Sequence, residues 1–264
     1  MPRVNATPGP ELASHAVFTV EQRDALLERV LGLARRDARV VAGAVVGSLA
    51  VDAADRFSDL DLTFAVADGV PVGEVISDWT RTLHGELDAL PILDLERPPT
   101  TFRVFLFPDA LQFDLSLTPA SRFAPTSPRF RLLFGTTAEG LRTDGHKPPP
   151  AADLFGWGVI YGLHSRTCIE RGRLWAAEHY IGQVRDHALS LACLRSGLPA
   201  VQARGYDDLP ADLLARFAKT HIAALEPTHL HAALRAAMGA LLNEGVEAGV
   251  PGAAAVAERL TEFR

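Results

Sequence analysis

Cysteine is nearly absent from this sequence. Two of 264 residues, Cys168 and Cys193, cannot build a disulfide framework. Both lie in apolar, helix-like stretches and read as reduced core thiols, the state expected in a cytoplasmic protein. Long apolar runs are also missing. No stretch approaches the roughly 18 residues that a membrane-crossing helix needs, and the N-terminus lacks the basic start and apolar stretch of a signal peptide, so no membrane partner is expected. There is no basic excess: 26 Lys and Arg stand against 32 Asp and Glu, a net charge of −6, which argues against a nucleic-acid partner. The nine histidines are scattered, with no His-x-x-x-His pair and no Cys/His cluster of zinc spacing. What remains is ordinary for a globular chain, with 48% hydrophobic and 22% charged residues, enough to bury a core.

Residues 1–17, rich in Pro, Ala and small polar residues, read as a loose lead-in. Thr19 with Gln22 three residues later makes a capping box, and Leu26, Leu27, Val30, Leu31 and Leu33 recur at helical spacing behind it. VVAGAVVG (Val40 to Gly47) is a short apolar run rich in β-branched residues and predicts a strand buried on both faces. DLDLTFAVA (Asp59 to Ala67) alternates at its start and predicts a second strand. A helix is expected over Gly73 to Leu87, then a short strand LPILDL. Two further strands, TFRVFLF and LQFDLSL, are joined by a turn at Pro108, Asp109 and Ala110. Beyond a proline-rich linker at 147–150 the pattern is helical throughout, with Pro210, Pro227 and Pro251 where helices start. The boundary expected is therefore between 1–148 and 149–264.

Three carboxylates carry the chemical signal. Asp59 and Asp61 are two apart on a predicted strand, so both project from one face while Leu60 and Leu62 turn into the core. Neighbouring carboxylates repel, and burying them raises a pKa unless a cation holds them. Hard oxygen donors in that arrangement suit Mg²⁺, which is bound by a few carboxylates together with substrate phosphates. Asp114, in the middle of the apolar LQFDLSL, needs a partner too, and a shared ion is the economical one. Upstream, Gly47 allows a phosphate close to the backbone and Ser48 can hydrogen-bond a phosphate oxygen. A helix opening there would add its free N–H groups. Two metals about 4 Å apart could then activate an attacking hydroxyl and stabilise departing pyrophosphate. Asp52 and Asp55 read as solvated loop residues, and Asp94 and Glu96 as surface.

GSLAVDAADRFSDLDLTF resembles the signature of the DNA polymerase β-like nucleotidyltransferase superfamily: apolar strand, Gly-Ser, about ten residues, then Asp-x-Asp on the next strand, with Asp114 as the later third carboxylate. A mixed domain followed by helices looks like the bacterial antibiotic nucleotidyltransferases, those acting on streptomycin/spectinomycin, lincosamides and kanamycin among them. The resemblance covers residues 40–118 well and the helical half only in architecture. It implies an α+β protein: a catalytic domain over 1–148 with a mixed, mostly antiparallel sheet flanked by helices, then a substrate-binding helical bundle over 149–264. It implies transfer of a nucleoside monophosphate, usually AMP from ATP, to a hydroxyl of a small-molecule acceptor, with pyrophosphate released. The acceptor expected is an aminoglycoside, aminocyclitol or lincosamide antibiotic. Asp59 and Asp61 would be metal ligands, Asp114 the third ligand or the general base, and Gly47 and Ser48 would hold the triphosphate. Many drug-modifying members carry an Arg two places after the serine and a Gly soon after it. Ala50 and Asp52 stand there in this chain, and Arg56 is the candidate for the missing cation.

In the helical half, Trp175, Glu178, Gly182 and Arg185 fall on one helical stripe. One reading is a bundle seam with an internal Glu178–Arg185 pair. The other is a wall where an aromatic ring and a carboxylate receive a cationic, sugar-like acceptor; Glu178 is also an alternative base, as a helical-domain glutamate is in some relatives. A different class of function stays open beside the enzyme: an antitoxin-like or regulatory module that binds or modifies a protein partner. The assembly expected is a monomer or a homodimer.

Overall fold

The computed structural model describes residues 18–140 and 148–263, apart from the side chain of Glu262. The lead-in expected at 1–17 and the Lys147 end of the expected linker fall outside the described residues. The chain divides into two compact units, residues 1–145 and 146–264. The first is α+β and the second is helical.

The first unit opens with α1 (Val20–Arg36), started by the predicted capping box: the Thr19 N–H donates to Gln22 Oε1 at 2.6 Å and the Gln22 N–H to Thr19 Oγ1 at 3.2 Å. Then come β1 (Val40–Val46), β2 (Leu60–Val66), α2 (Val72–Leu87), β3 (Leu90–Arg97), β4 (Thr100–Leu106), β5 (Gln112–Pro119) and β6 (Phe130–Phe134). The six strands form one sheet in the order β3-β4-β5-β2-β1-β6. Every neighbouring pair is antiparallel except β2 with β5, which run parallel at the centre. A parallel pair needs a long crossover, and α2 with the β3–β4 hairpin supplies it. The expected turn at Pro108–Ala110 joins β4 to β5, with Asp109 and Ala110 both at positive φ. Strand β6 has no counterpart in the sequence reading, because FRLLF is short and interrupted by Arg131. Strand β1 departs from double-faced burial at Val41, which is 45% exposed where the pairing with β2 shifts register.

Alternation in β2 sets the core. Leu60, Leu62 and Phe64 turn inward with Phe113, Leu115 and Leu117 of β5 and Phe105 of β4, against Val75, Ile76, Trp79 and Leu83 of α2 and Val30 and Leu31 of α1. Asp37 ties the end of α1 to α2 by accepting from Arg39 Nε at 2.9 Å and from Trp79 Nε1 at 2.9 Å. The hydrogen bonds from Arg39 hold the Asp37 carboxyl down from its ordinary 3.8 to about 2. A carboxyl lowered on folding stabilises above its unfolded pKa and loses that contribution as pH falls through the folded one. Asp37→Asn is accordingly expected to cost about 2 kcal/mol at pH 7 and to flatten the loss of stability between pH 3.8 and about 2. Urea denaturation of both proteins at pH 7 and across that window checks this.

The second unit contains α3 (Ala151–Glu170), α4 (Leu174–Arg195), α5 (Ala211–Phe217), α6 (Pro227–Glu247) and α7 (Ala253–Arg259). Pro210 sits at the N-cap of α5 and Pro227 at the first turn of α6, positions where a missing N–H costs nothing. Helices α3, α4 and α6 pack together. Their core includes Phe155, Ile181, Val184, Leu191, Leu234, Met238 and Leu241. Cys193 is buried in it, with its thiol pushed up by burial, and Cys168 is partly buried. Among the described residues, no helix is long and apolar enough to cross a membrane.

Candidate active site

The parallel pairing of β2 with β5 places Asp61 directly opposite Asp114. Asp59, just before β2, completes a cluster in which one oxygen of each carboxylate lies within 4.8 Å of the others, all three half-buried. Gln112 Nε2 donates to Asp114 Oδ1 at 2.9 Å from the same strand face. Burial pushes the Asp114 carboxyl above its ordinary range; that donor and the Asp59 charge act on it in opposite directions. The loop that leads into Asp59 is held by Arg23, buried on α1, whose guanidinium donates to the Asp55 carbonyl at 2.8 Å and the Ser58 carbonyl at 3.4 Å.

Gly47 closes the other side of Asp61. Its φ is +72°, and a β-carbon built there would collide with Asp61 Oδ2. The Gly47 N–H already donates to the Arg129 carbonyl at 3.2 Å, which leaves Ser48 as the group of that turn able to meet an anion. Ser48 is half-buried, and its hydroxyl makes no hydrogen bond among the described residues. What opens after it is a single 3₁₀ turn, Leu49–Val51, which is too short to align a useful dipole. Arg56 lies on the exposed loop before Asp59 with its guanidinium 4.2 Å from the Phe57 ring centroid. Asp52 is exposed and paired with Arg131 at 2.8 Å, and Asp55 caps its own loop by accepting from the Phe57 N–H at 2.9 Å.

The structure thus gathers Asp59, Asp61, Asp114 and Gly47, with Ser48 next in the chain. The sequence reading missed Gln112 and Arg23. Both carried a signal: Gln112 is two residues before Asp114 on one strand face, and Arg23 is a charge on the apolar stripe of α1.

The α4 stripe lies in the second unit. Trp175 is 77% exposed. Glu178 is half-buried, and Arg185 pairs at 3.9 Å with Asp186 instead of Glu178. The helix seam runs through Ala177, Ile181, Val184 and Ala188, so the bundle-seam reading of the stripe does not hold. Beside it stands an aromatic stack that sequence reasoning passed over: Trp157 on Tyr161 at 5.7 Å and Tyr161 on Tyr180 at 5.8 Å, with His187 edge-on to Tyr161 at 5.4 Å. A cavity of about 680 Å³ on the helical unit is lined by Lys219, Arg235, Asn243 and Phe263, and none of the three carboxylates lines it.

No protein-family model and no curated protein matches the chain. Among solved structures it is similar to an aminoglycoside 6-adenyltransferase from Bacillus subtilis, at 15% identity over 89% of this chain and 95% of that one, with a TM-score of 0.41. It is also similar to a nucleotidyltransferase-like protein from Exiguobacterium sibiricum 255-15, at 14% identity over 86% of this chain and 77% of that one, with a TM-score of 0.36.

Proposed function

We propose that the protein is a nucleotidyltransferase that moves a nucleoside monophosphate, AMP from ATP, to a hydroxyl of a small-molecule acceptor and releases pyrophosphate. The observation that carries this reading is the pairing of Asp61 with Asp114 across parallel central strands, with Asp59 beside them and the carboxylate oxygens within 4.8 Å of one another. Three hard oxygen donors that converge and repel in the absence of a cation fit a divalent ion, so Asp59, Asp61 and Asp114 are the ligands proposed. Bound there with the triphosphate, Mg²⁺ would neutralise charge that develops on the phosphate oxygens.

The residues divide the remaining work. Ser48, with an unengaged hydroxyl, is suited to donate to a phosphate oxygen, while Gly47 leaves room for Asp61 to hold its position. The acceptor oxygen attacks the α-phosphorus, its bond forming as the bond to the pyrophosphate bridging oxygen breaks. The hydroxyl proton passes to a carboxylate, and Asp114, raised by burial, is the candidate unless it serves wholly as a ligand. Arg56, on the exposed loop before Asp59, is the candidate cation for the triphosphate, its guanidinium edge carrying the donors while its face lies on the Phe57 ring. The acceptor proposed is an aminoglycoside, aminocyclitol or lincosamide antibiotic, with the helical unit as an acceptor-binding domain and Trp175, Glu178 and Arg185 as its candidate contacts.

Pyrophosphate release tests the proposal, measured with Mg²⁺, each of the four nucleoside triphosphates and a panel of these drugs. Release that requires one nucleotide and one drug is the expected result. Silence across the panel, with nucleotide still bound, would transfer the reading to a protein acceptor.

A further inference from the structure

The β3–β4 hairpin carries its polarity inside out. Opposite residues on antiparallel strands share a face, and the register pairs Asp114 with Val104 and Val104 with Leu93. One straight row therefore crosses four strands: Asp61, Asp114, Val104, Leu93. The next row is Thr63, Ser116, Phe102, Leu95, and Gln112, Leu106 and Leu90 form a third on the other side. On the opposite face, where α2 packs, lie Asp94, Glu96 and Arg103, with Arg103 donating to both Asp94 oxygens at 2.6 Å and to Thr80 of α2 at 2.6 Å. The ion pair has been placed on the helix side and the leucines on the open side. Leu90 is 49%, Leu93 50%, Leu95 40% and Leu106 36% exposed. A solvated edge hairpin of an antiparallel sheet carries the reverse pattern.

We infer that this apolar surface is an acceptor subsite and that the acceptor is amphipathic: a hydroxylated small molecule with an alkyl or aryl portion. Strands lie about 4.8 Å apart, so Leu93 is about 10 Å from Asp114 on the same face. A molecule of ordinary drug length then spans both, its hydroxyl at the carboxylates and its apolar part over Val104, Leu93 and Leu95. The inference rests on the nucleotidyl-transfer reading and narrows it. A polycationic aminoglycoside has no apolar face to lay there, and the acidic residues of β3 that would attract it, Asp94 and Glu96, point to the other side. A lincosamide, which joins a sugar to an alkylated ring, has both halves.

The test uses the full chain and a neutral apolar dye, N-phenyl-1-naphthylamine. Lincomycin is expected to displace the dye and kanamycin to leave it bound. Leu93→Gln and Leu95→Gln, both at exposed positions that the fold tolerates, are each expected to weaken lincomycin about tenfold. Displacement that persists in Asp61→Asn separates this subsite from catalysis: if no drug releases pyrophosphate but the displacement and its leucine dependence remain, the transfer reading falls and the subsite stands. Dye binding indifferent to both leucines, or equal displacement by kanamycin, overturns the subsite. So does a dimer in sedimentation that Leu93→Gln converts to monomer, because a second copy would then cover this face.

Discussion

Asp61→Asn is expected to remove about three orders of magnitude of pyrophosphate release, since a divalent ion at such a site contributes several kcal/mol and each 1.36 kcal/mol is about tenfold in rate. Asp61 is the carboxylate that the fold holds most directly, opposite Asp114 in the parallel register and against the Cα of Gly47. The substitution keeps the size of the side chain and removes one of three neighbouring carboxylate charges, so the variant is expected to fold, which a urea or thermal unfolding transition checks. A second readout follows from linkage. A ligand present at about 100 times its Kd stabilises the native state by about 2.7 kcal/mol. Mg²⁺ with a non-hydrolysable ATP analogue is therefore expected to raise the melting temperature of wild type and to leave Asp61→Asn nearly unchanged. Full turnover in the variant would defeat the metal assignment, whatever the melting data.

What was legible in the sequence was local. The capping box at Thr19 and Gln22 depends on residues three apart, and the shared face of Asp59 and Asp61 on the period of a strand. The hairpin turn at 108–110 depends on Pro108 and on residues that accept positive φ. Asp114 was legible for a different reason: a carboxylate inside LQFDLSL conflicts with its surroundings, and such conflicts mark sites. The alignment of Asp61 with Asp114 is a matter of register between strands about fifty residues apart, which no local pattern encodes. The same applies to the open face of β3. LPILDLER alternates as a half-buried strand should, but only the bulge at Ile92 and the pairing with β4 determine that the leucines share the carboxylate face. A helix opening at Ser48 would have added its free N–H groups to the site. Asp52 takes a left-handed φ of 54° instead and ends the turn after Leu49–Val51. Arg56 is readable in the sequence only as a nearby cation; that its guanidinium lies 4.2 Å from the Phe57 ring centroid is a matter of loop conformation.

Gly47→Ala is expected to cost both activity and stability, and a second glycine allows the two effects to be separated. Gly47 has φ +72° and Gly69 φ +86°, so alanine at either position meets the left-handed penalty of about 1–2 kcal/mol. They differ in what the added methyl encounters. At Gly69, in the turn after β2, nothing lies within 4 Å; at Gly47 the methyl collides with Asp61 Oδ2. Backbone strain alone therefore predicts a similar fall in urea midpoint for the two variants and full turnover for both. Collision predicts something more: relief requires Asp61 to swing away or β1 to shift against β2, and either movement breaks the carboxylate cluster. A misplacement on the order of 1 Å in a catalytic group is worth about a hundredfold in rate, so Gly47→Ala is expected to lose about that factor while Gly69→Ala retains wild-type turnover. Equal turnover in the two variants would mean that Asp61 has another productive position and that the contact with Gly47 is incidental. A hundredfold gap at matched stability would identify Gly47 as the residue that leaves the space in which Asp61 is held.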